Sequence, residues 1–341
     1  MSPTESIVVP VIDISGFLDG SDPHTAPREI NHAATTSGFF QIVGHGIDAA
    51  LIDAAYQVAT GLQSLPRDVK DTLRSPSGHP FRGLMTNYDL NGKICSEGYT
   101  VSRFDSPTDA MAHGVDPDFA DYFDDNVWPP VDNFREVMTA WSTRVRALGA
   151  QMMRAFAVGL ELPADYFDTY TALDASTSTI RSYPARLAPL DHDPTVIFDE
   201  HFDGGMLTML HQRGTYEGLE VKTLDGAWFP VPVYEDAFVI NVGELMTRWT
   251  NGRWPATRHR VVASRDPQGY RFTLPTFYNV AVDTVVEPLP TTIGDDRGAP
   301  FEAVTVYGWF RRHLATTYKE RKHTRVPAAA EAFVASLQDA P

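Results

Sequence analysis

The chain has 341 residues, 43% of them hydrophobic, which is enough to bury a large core as one big domain or two modest ones. Its 44 acidic residues outweigh 28 basic ones for a net charge of −16 at pH 7, a field that repels nucleic-acid phosphates and anionic membrane surfaces. The single cysteine, Cys95, excludes an intramolecular disulfide and a cysteine-based zinc site, so any metal must be held by imidazoles and carboxylates.

Along the chain, the opening "MSPTESIVVPVIDIS" has no basic segment followed by an apolar one, and no apolar run reaches membrane-spanning length, so a cytoplasmic protein is expected. "IVVPVID" reads as a strand, "PREINHAATTS" as a helix, "GFFQIVGHG" as a strand closed by a turn, and "AALIDAAYQVATGLQSL" as a second helix. Residues Ser75 to Pro130 are rich in Gly, Pro, Asn, Asp and Ser, which predicts a long connection with short irregular elements at the border of a binding site. From Phe134 the apolar residues Val137, Met138, Trp141, Val145, Leu148, Met152 and Phe156 fall mostly at steps of three and four, the stripe of an amphipathic helix. Asn133 and Glu136 have the chemistry of a capping box at its start, and Leu162-Pro163 marks its end.

After Ser176 short β-rich runs alternate with turns: "STIRSYPARL", "MLTMLHQ", "LEVKTLDGAWFPVPV", "DAFVINVG", "HRVVAS" and "YRFTLPTFYNV". This texture predicts an antiparallel barrel or jelly roll, with a last helix over Ala303 to Lys319 packed outside it. The fold class expected is mainly β with flanking helices. The division expected is a mixed and helical region over 1–170 supporting a jelly-roll core at 171–290, with 291–341 as a helical extension.

The stretch "HFDGGMLTMLHQ" carries the chemistry. On an extended strand, residues i and i+2 face the same side, so His201 and Asp203 can point into one cavity; alternatively they are two ordinary polar residues on a strand edge. His259, opening "HRVVAS", is the candidate third ligand. Two imidazoles and one carboxylate on one face of an octahedron suit non-haem Fe(II) and leave positions open for a bidentate cosubstrate and O2. His45, His192 and His211 are also available, although His211 lies too far along the run from Asp203 to share an ion with it. Arg271 and Thr273 share a strand face, where a guanidinium can take a carboxylate bidentately or form an internal salt bridge.

Taken in order, "VPVIDIS", "TSGFFQIVGHGI", "EGY", "WPP", "SYP", "HFDGGMLTMLHQ", "ATRHRV" and "RFTLPTFYN" resemble blocks of the isopenicillin N synthase-like family of 2-oxoglutarate and Fe(II)-dependent oxygenases, and the likeness covers nearly the whole chain. The resemblance implies a double-stranded β-helix, that is, a jelly-roll core, with iron held by His201, Asp203 and His259. It further implies that Arg271 and Thr273 match the Arg-x-Ser motif for the distal carboxylate of 2-oxoglutarate, and that Tyr183 supports the same cosubstrate. The implied activity is C–H oxidation (hydroxylation, desaturation or cyclisation) of a small, biosynthetic substrate, with Fe(II), 2-oxoglutarate and O2 as cofactor and cosubstrates. Competing readings are a 2-oxoglutarate-independent oxidase of the same fold and a non-catalytic small-molecule-binding barrel. One departure stands out: Arg181 occupies a position where many plant members carry asparagine, and it is a candidate for meeting an anionic group of the substrate or assisting 2-oxoglutarate, or else for pairing with a surface acid. Phe81, Met85, Tyr88, Tyr99 and Phe104 are the other candidate substrate contacts. Neither the prime substrate nor the oligomeric state is specified by the sequence.

Overall fold

The computed structural model describes residues 9–184, 196–214, 218–223, 225–263, 270–294, 300–319 and 322–336. Strand β1 (Val11–Asp13) leads into helices α1 (Ser15–Asp19) and α2 (Thr25–Thr36), then β2 (Phe39–Val43), α3 (Ala49–Ser64) and α4 (Arg67–Asp71). Next come β3 (Gly83–Asp89), β4 (Ile94–Ser102), α5 (Pro107–Ala112), the long α6 (Phe134–Gly159) and α7 (Asp168–Thr171). The β-rich part comprises β5 (Thr177–Tyr183), β6 (Val196–His201), β7 (Leu207–Gln212), β8 (Leu219–Lys222), β9 (Trp228–Pro230) and β10 (Phe238–Val242), then, after α8 (Glu244–Trp249), β11 (His259–Val262), β12 (Arg271–Tyr278) and β13 (Val285–Val286). The chain closes with β14 (Val304–Thr305), α9 (Val306–Lys319), β15 (Thr324–Arg325) and α10 (Ala328–Ser336).

Two sheets make the core. The larger runs β1-β2-β10-β7-β12-β5-β4-β3-β15 and the smaller β6-β11-β8-β9. Only β1 and β2 pair in parallel; every other described pair is antiparallel. Phe39 and Val239 of the larger sheet pack on Leu219 and Val221 of the smaller, and Cys95 and Tyr183 pack on Ile197 and Val261. The inner faces of the two sheets therefore meet, as in a jelly roll. Helices cover the opposite face of the larger sheet: Met138, Trp141, Val145, Leu148, Met152 and Phe156 of α6 are buried in one cluster with Phe40, Met209, Phe238, Ile240 and Leu274. A stripe of apolar residues on one helix face needs such a sheet to bury it. The larger sheet draws strands from all three of the segments separated in the sequence, with β1 to β4 from the N-terminal region and β15 from the C-terminal one.

Three elements differ from expectation. Residues 83–102, expected to be irregular, form the β3–β4 hairpin. Its turn is "DLNGK", where Asp89 Oδ1 accepts from the backbone N–H groups of Asn91 and Lys93 and Gly92 takes φ +80°, so an Asn-Gly turn signal outweighed the loop-like composition of its surroundings. The expected capping box does not form: Asn133 sits at φ 57° and makes no side-chain cap bond, because a left-handed residue cannot aim its side chain at the first-turn N–H groups. Two residues of the expected last helix, Val304 and Thr305, instead pair with β13. Among the described residues no helix is long and apolar enough to cross a membrane.

Candidate metal centre

β6 ends at His201, and Asp203 lies just beyond it, in the turn that leads to β7. Antiparallel pairing brings His259, the first residue of β11, directly opposite His201. One ligand atom from each of His201, Asp203 and His259 lies within 4.8 Å of the others. Asp203 Oδ1 faces both rings, 3.6 Å from His201 Nε2 and 3.7 Å from His259 Nε2. His201 Nδ1 is hydrogen-bonded to the carbonyl of Asp199 at 2.9 Å and His259 Nδ1 to that of Thr257 at 3.1 Å. A ring nitrogen that donates to a carbonyl leaves the other nitrogen as the lone-pair donor, which is how metal-binding histidines are oriented. The other carboxylate oxygen, Asp203 Oδ2, accepts from Thr208 at 2.5 Å and from Asn241 at 2.8 Å, so the carboxylate cannot swing away.

Electrostatics favour the ligand forms of these groups. Burial, reinforced by the neighbouring His201, pushes His259 down to about 4, so its ring is neutral at pH 7. Burial works against the Asp203 carboxylate, but the facing imidazoles and the Thr208 hydroxyl outweigh it and hold the group well below the usual carboxylate range. A buried carboxylate flanked by two imidazoles, all with their outer atoms anchored, is a preformed divalent-cation site.

The turn after Asp203 depends on close approach. A Cβ on Gly205 would stand 2.4 Å from Asn279 Oδ1, and one on Gly204 would meet the His313 ring at 2.6 Å. Asn279 in turn accepts from the Met206 N–H at 3.2 Å, tying the ligand turn to the end of β12. The two glycines of "HFDGG" are thus explained by space.

Next to the triad, the inner face of the larger sheet carries a row of paired residues across five strands: Met85, Gly98, Arg181, Thr273 and Gln212. Arg271 pairs with Tyr183 one step further along, its guanidinium 5.1 Å from the centre of the Tyr183 ring. Arg271 Nη2 donates to Gln212 Oε1 at 3.0 Å, while the buried Gln212 Nε2 has no hydrogen-bond partner among the described residues. A guanidinium, a buried hydroxyl at Thr273 and an orphaned amide N–H gathered on one face fit the distal carboxylate of a dicarboxylic acid, since each is a donor and a buried donor needs an acceptor.

The chain matches the model of the 2OG-Fe(II) oxygenase superfamily over residues 176–280 and that of the non-haem dioxygenase in morphine synthesis N-terminal region over residues 9–131. It is 30% identical over 286 residues to a 2-oxoglutarate-dependent dioxygenase of Aspergillus niger, covering 80% of this chain and 84% of that one. The chain belongs to the 2OG-Fe(II) oxygenase superfamily. The oxygenase is also 29% identical over 283 residues to a 2-oxoglutarate-dependent dioxygenase of Trichoderma harzianum, covering 81% of this chain and 85% of that one. Among solved structures, a full-length Neurospora crassa protein in complex with alpha-KG superposes with a TM-score of 0.78 at 25% identity, over 92% of the oxygenase and 98% of that chain. The same protein has been solved with alpha-KG and thymine. This oxygenase is accordingly a 2-oxoglutarate-dependent dioxygenase with Fe(II) and 2-oxoglutarate as its cofactors, and the H-x-D…H triad is present, which sets aside the 2-oxoglutarate-independent oxidase and the non-catalytic barrel.

A cavity of about 690 Å³ opens beside His201 and Asp203. Of the residues expected to touch substrate, Phe81, Met85 and Arg181 line it, and Tyr88, Tyr99 and Phe104 do not. Tyr99 faces the helices, edge-on to Phe134 with its hydroxyl donating to the Val127 carbonyl, because strand alternation turns it away from the inward-facing Gly98. Phe104 is buried beside β4 among Ala110, Val115 and Phe123. Tyr88, near the end of β3, pairs with Ile94 across the hairpin. Of the other histidines, His211 is buried under the helices, hydrogen-bonded through Nδ1 to the Tyr56 hydroxyl at 3.0 Å, and His45 packs edge-on to Phe238. His192 lies outside the described residues. Sequence reasoning missed Gln212, Thr208 and Asn241, whose only signal was inward parity on strands already identified. It also missed Phe198, Phe277, Phe310 and Phe333, which come from four separate segments of the cavity wall.

Proposed function

We propose that this dioxygenase oxidises a C–H bond of a small, partly apolar molecule bound in the 690 Å³ cavity, with His201, Asp203 and His259 holding the iron. The observation that carries the reading is the convergence of the three ligand atoms within 4.8 Å at the wall of that cavity. Bound Fe(II) and 2-oxoglutarate supply a site for O2 and the oxidising power to take hydrogen from a C–H bond.

The chain's own residues do the rest. The Asp199 and Thr257 carbonyls orient the two imidazoles, and Thr208 and Asn241 hold the carboxylate, so the three side chains are fixed where they would hold the iron. Arg271, Thr273 and Gln212 would take the distal carboxylate of 2-oxoglutarate, with the Tyr183 ring beside the guanidinium. Phe81, Phe198 and Phe277 line the substrate space with apolar surface and exclude water from the reacting centre. Where the substrate's C–H bond sits relative to the ion decides between hydroxylation, desaturation and ring formation.

Anaerobic addition of Fe(II) and then 2-oxoglutarate is expected to raise a visible charge-transfer band, and admission of O2 to release succinate, faster when a substrate is present. Absence of both the band and succinate from well-folded protein would exclude this reading.

A further inference from the structure

Arg181 is held in an unusual seat. Gly98, its cross-strand neighbour on β4, has no positive φ that would require glycine; instead, a Cβ there would stand 3.0 Å from Arg181 Cζ and Nη1. Glycine weakens a strand interior, and this one leaves room for the guanidinium to lie against the β4 backbone. On its other side the guanidinium lies 5.0 Å from the centre of the Phe198 ring. The side chain thus leans toward β4. Thr273, on the 2-oxoglutarate side, pairs with Arg181 across its opposite edge in β12. This geometry points Arg181 away from the cosubstrate and into the cavity it lines.

Its charge is unmatched among the described residues. Arg181 makes no hydrogen bond or ion pair with any described residue. The cavity's carboxylates are engaged elsewhere: Asp121 with Tyr307, Asp124 with Ser75 and Ser77, Asp199 with His323, Glu200 with Lys222, Asp203 with Thr208 and Asn241, and Glu244 with His313. The other arginines of the wall also have partners, Arg82 in the Phe81 and Tyr122 carbonyls, Arg258 in Glu200 and Arg311 in the Tyr307 hydroxyl. A part-buried guanidinium, sandwiched between backbone and an aromatic ring, keeps its planar N–H edge for an external acceptor, and a carboxylate matches that edge with two parallel bonds. The same cavity also has apolar surface, from Phe81, Met85, Phe198, Phe277, Phe310 and Phe333.

We infer that the prime substrate is a compact aromatic or apolar monocarboxylate whose carboxylate is taken by Arg181 in the Gly98–Phe198 seat. The six acidic side chains around the cavity disfavour a doubly charged phosphate in the same place. This deepens the proposed function, since it assigns the substrate class of the same cavity.

The test titrates 3-phenylpropanoate and 4-phenylbutyrate, each against its neutral amide, into the full-length protein by calorimetry. It is run anaerobically with Fe(II) and saturating 2-oxoglutarate, and again on metal-free protein. At least one acid is expected to bind about 10- to 100-fold more tightly than its amide, the usual worth of a charge-assisted pair. That ratio should fall to about one in Arg181→Gln, and should shrink in Gly98→Ala, which keeps the charge but fills its seat; Arg181→Lys should retain part of it. Equal binding of acid and amide, no binding of any probe, or an acid preference that survives Arg181→Gln overturns the inference. So does Arg181→Gln weakening 2-oxoglutarate as much as it weakens the acid, which would assign the arginine to the cosubstrate. Failure of the charge-transfer band removes the oxygenase reading instead, while the acid-to-amide ratio on metal-free protein still decides the role of Arg181.

Discussion

Adjacent residues on one strand separate the two faces of the larger sheet. His211 of β7 points out under the helices, fully buried, with Tyr56 bonded to its Nδ1 and the rings of Trp141 and Phe238 against it. Gln212, the next residue, points in, shares Arg271 and keeps a donor without a partner among the described residues. The outer face is a dry aromatic core whose purpose is stability. Each face leaves a buried polar atom without a partner among the described residues, His211 Nε2 outside and Gln212 Nε2 inside, but only the inner one shares its face with a guanidinium and a hydroxyl, a donor set that a ligand carboxylate can complete. The same imidazole is a packing residue at 211 and a ligand at 201 and 259, and what differs is the side of the sheet and the partner of Nδ1.

If that division is right, changes on the two faces should separate activity from stability. The largest effect is expected on the inside: His259→Ala should lower succinate formation by roughly 1,000-fold or more by removing an iron ligand, while the thermal midpoint of the metal-free protein falls by only a few degrees. Atomic absorption of the repurified protein checks the lost iron, and an unchanged iron content would break the assignment.

Outside, Trp141→Ala should cost roughly 3–5 kcal/mol in urea unfolding, because it empties a fully buried site between α6 and the sheet, with little change in the KM for 2-oxoglutarate of the protein that remains folded. A large rise in that KM would show that the faces are not independent.

Arg271→Met should raise the KM for 2-oxoglutarate by about 10- to 100-fold, the worth of a charge-assisted pair, and Gln212→Leu should do so by only a few-fold, with steady-state kinetics as the measurement. Equal effects of the two changes would argue against the guanidinium as the main anchor.

The smallest effect concerns pH. Burial lowers His211 to about 3 in the folded chain, against 6.5 for an ordinary histidine. The unfolded chain therefore binds the extra proton first, so this contribution to stability is complete above pH 6.5 and is lost as pH falls through the window between 6.5 and about 3. Acidification from 6.5 to 5 should remove up to about 2 kcal/mol, visible as a falling urea midpoint. In His211→Gln that slope should be shallower, and an unaltered slope would place the titration elsewhere.

Much of the molecule could be read from residue order. The stripe from Phe134 to Phe156, the alternating runs after Ser176 and the pairing of His201 with Asp203 all express short-range periodicity, which needs no knowledge of the fold. The β3–β4 hairpin was obscured because its alternation is weak and its neighbours are rich in turn-forming residues, although the Asn-Gly pair at its tip marks it. Tyr99 and Phe104 show the limit of composition: aromatic residues near a site are as readily core as substrate contacts, and register alone sent Gly98 inward and Tyr99 outward.

By itself, the order of amino acids determined which segments become strands and helices and which residue types could bind a metal, because these follow from spacing along one stretch of chain. Only the closed pair of sheets decided that His259 meets His201, that Gln212 meets Arg271, and that Gly98 makes a bed for Arg181. Those meetings join residues from different strands, and which pairs come together depends on strand order and register, quantities set by the packing of the whole core.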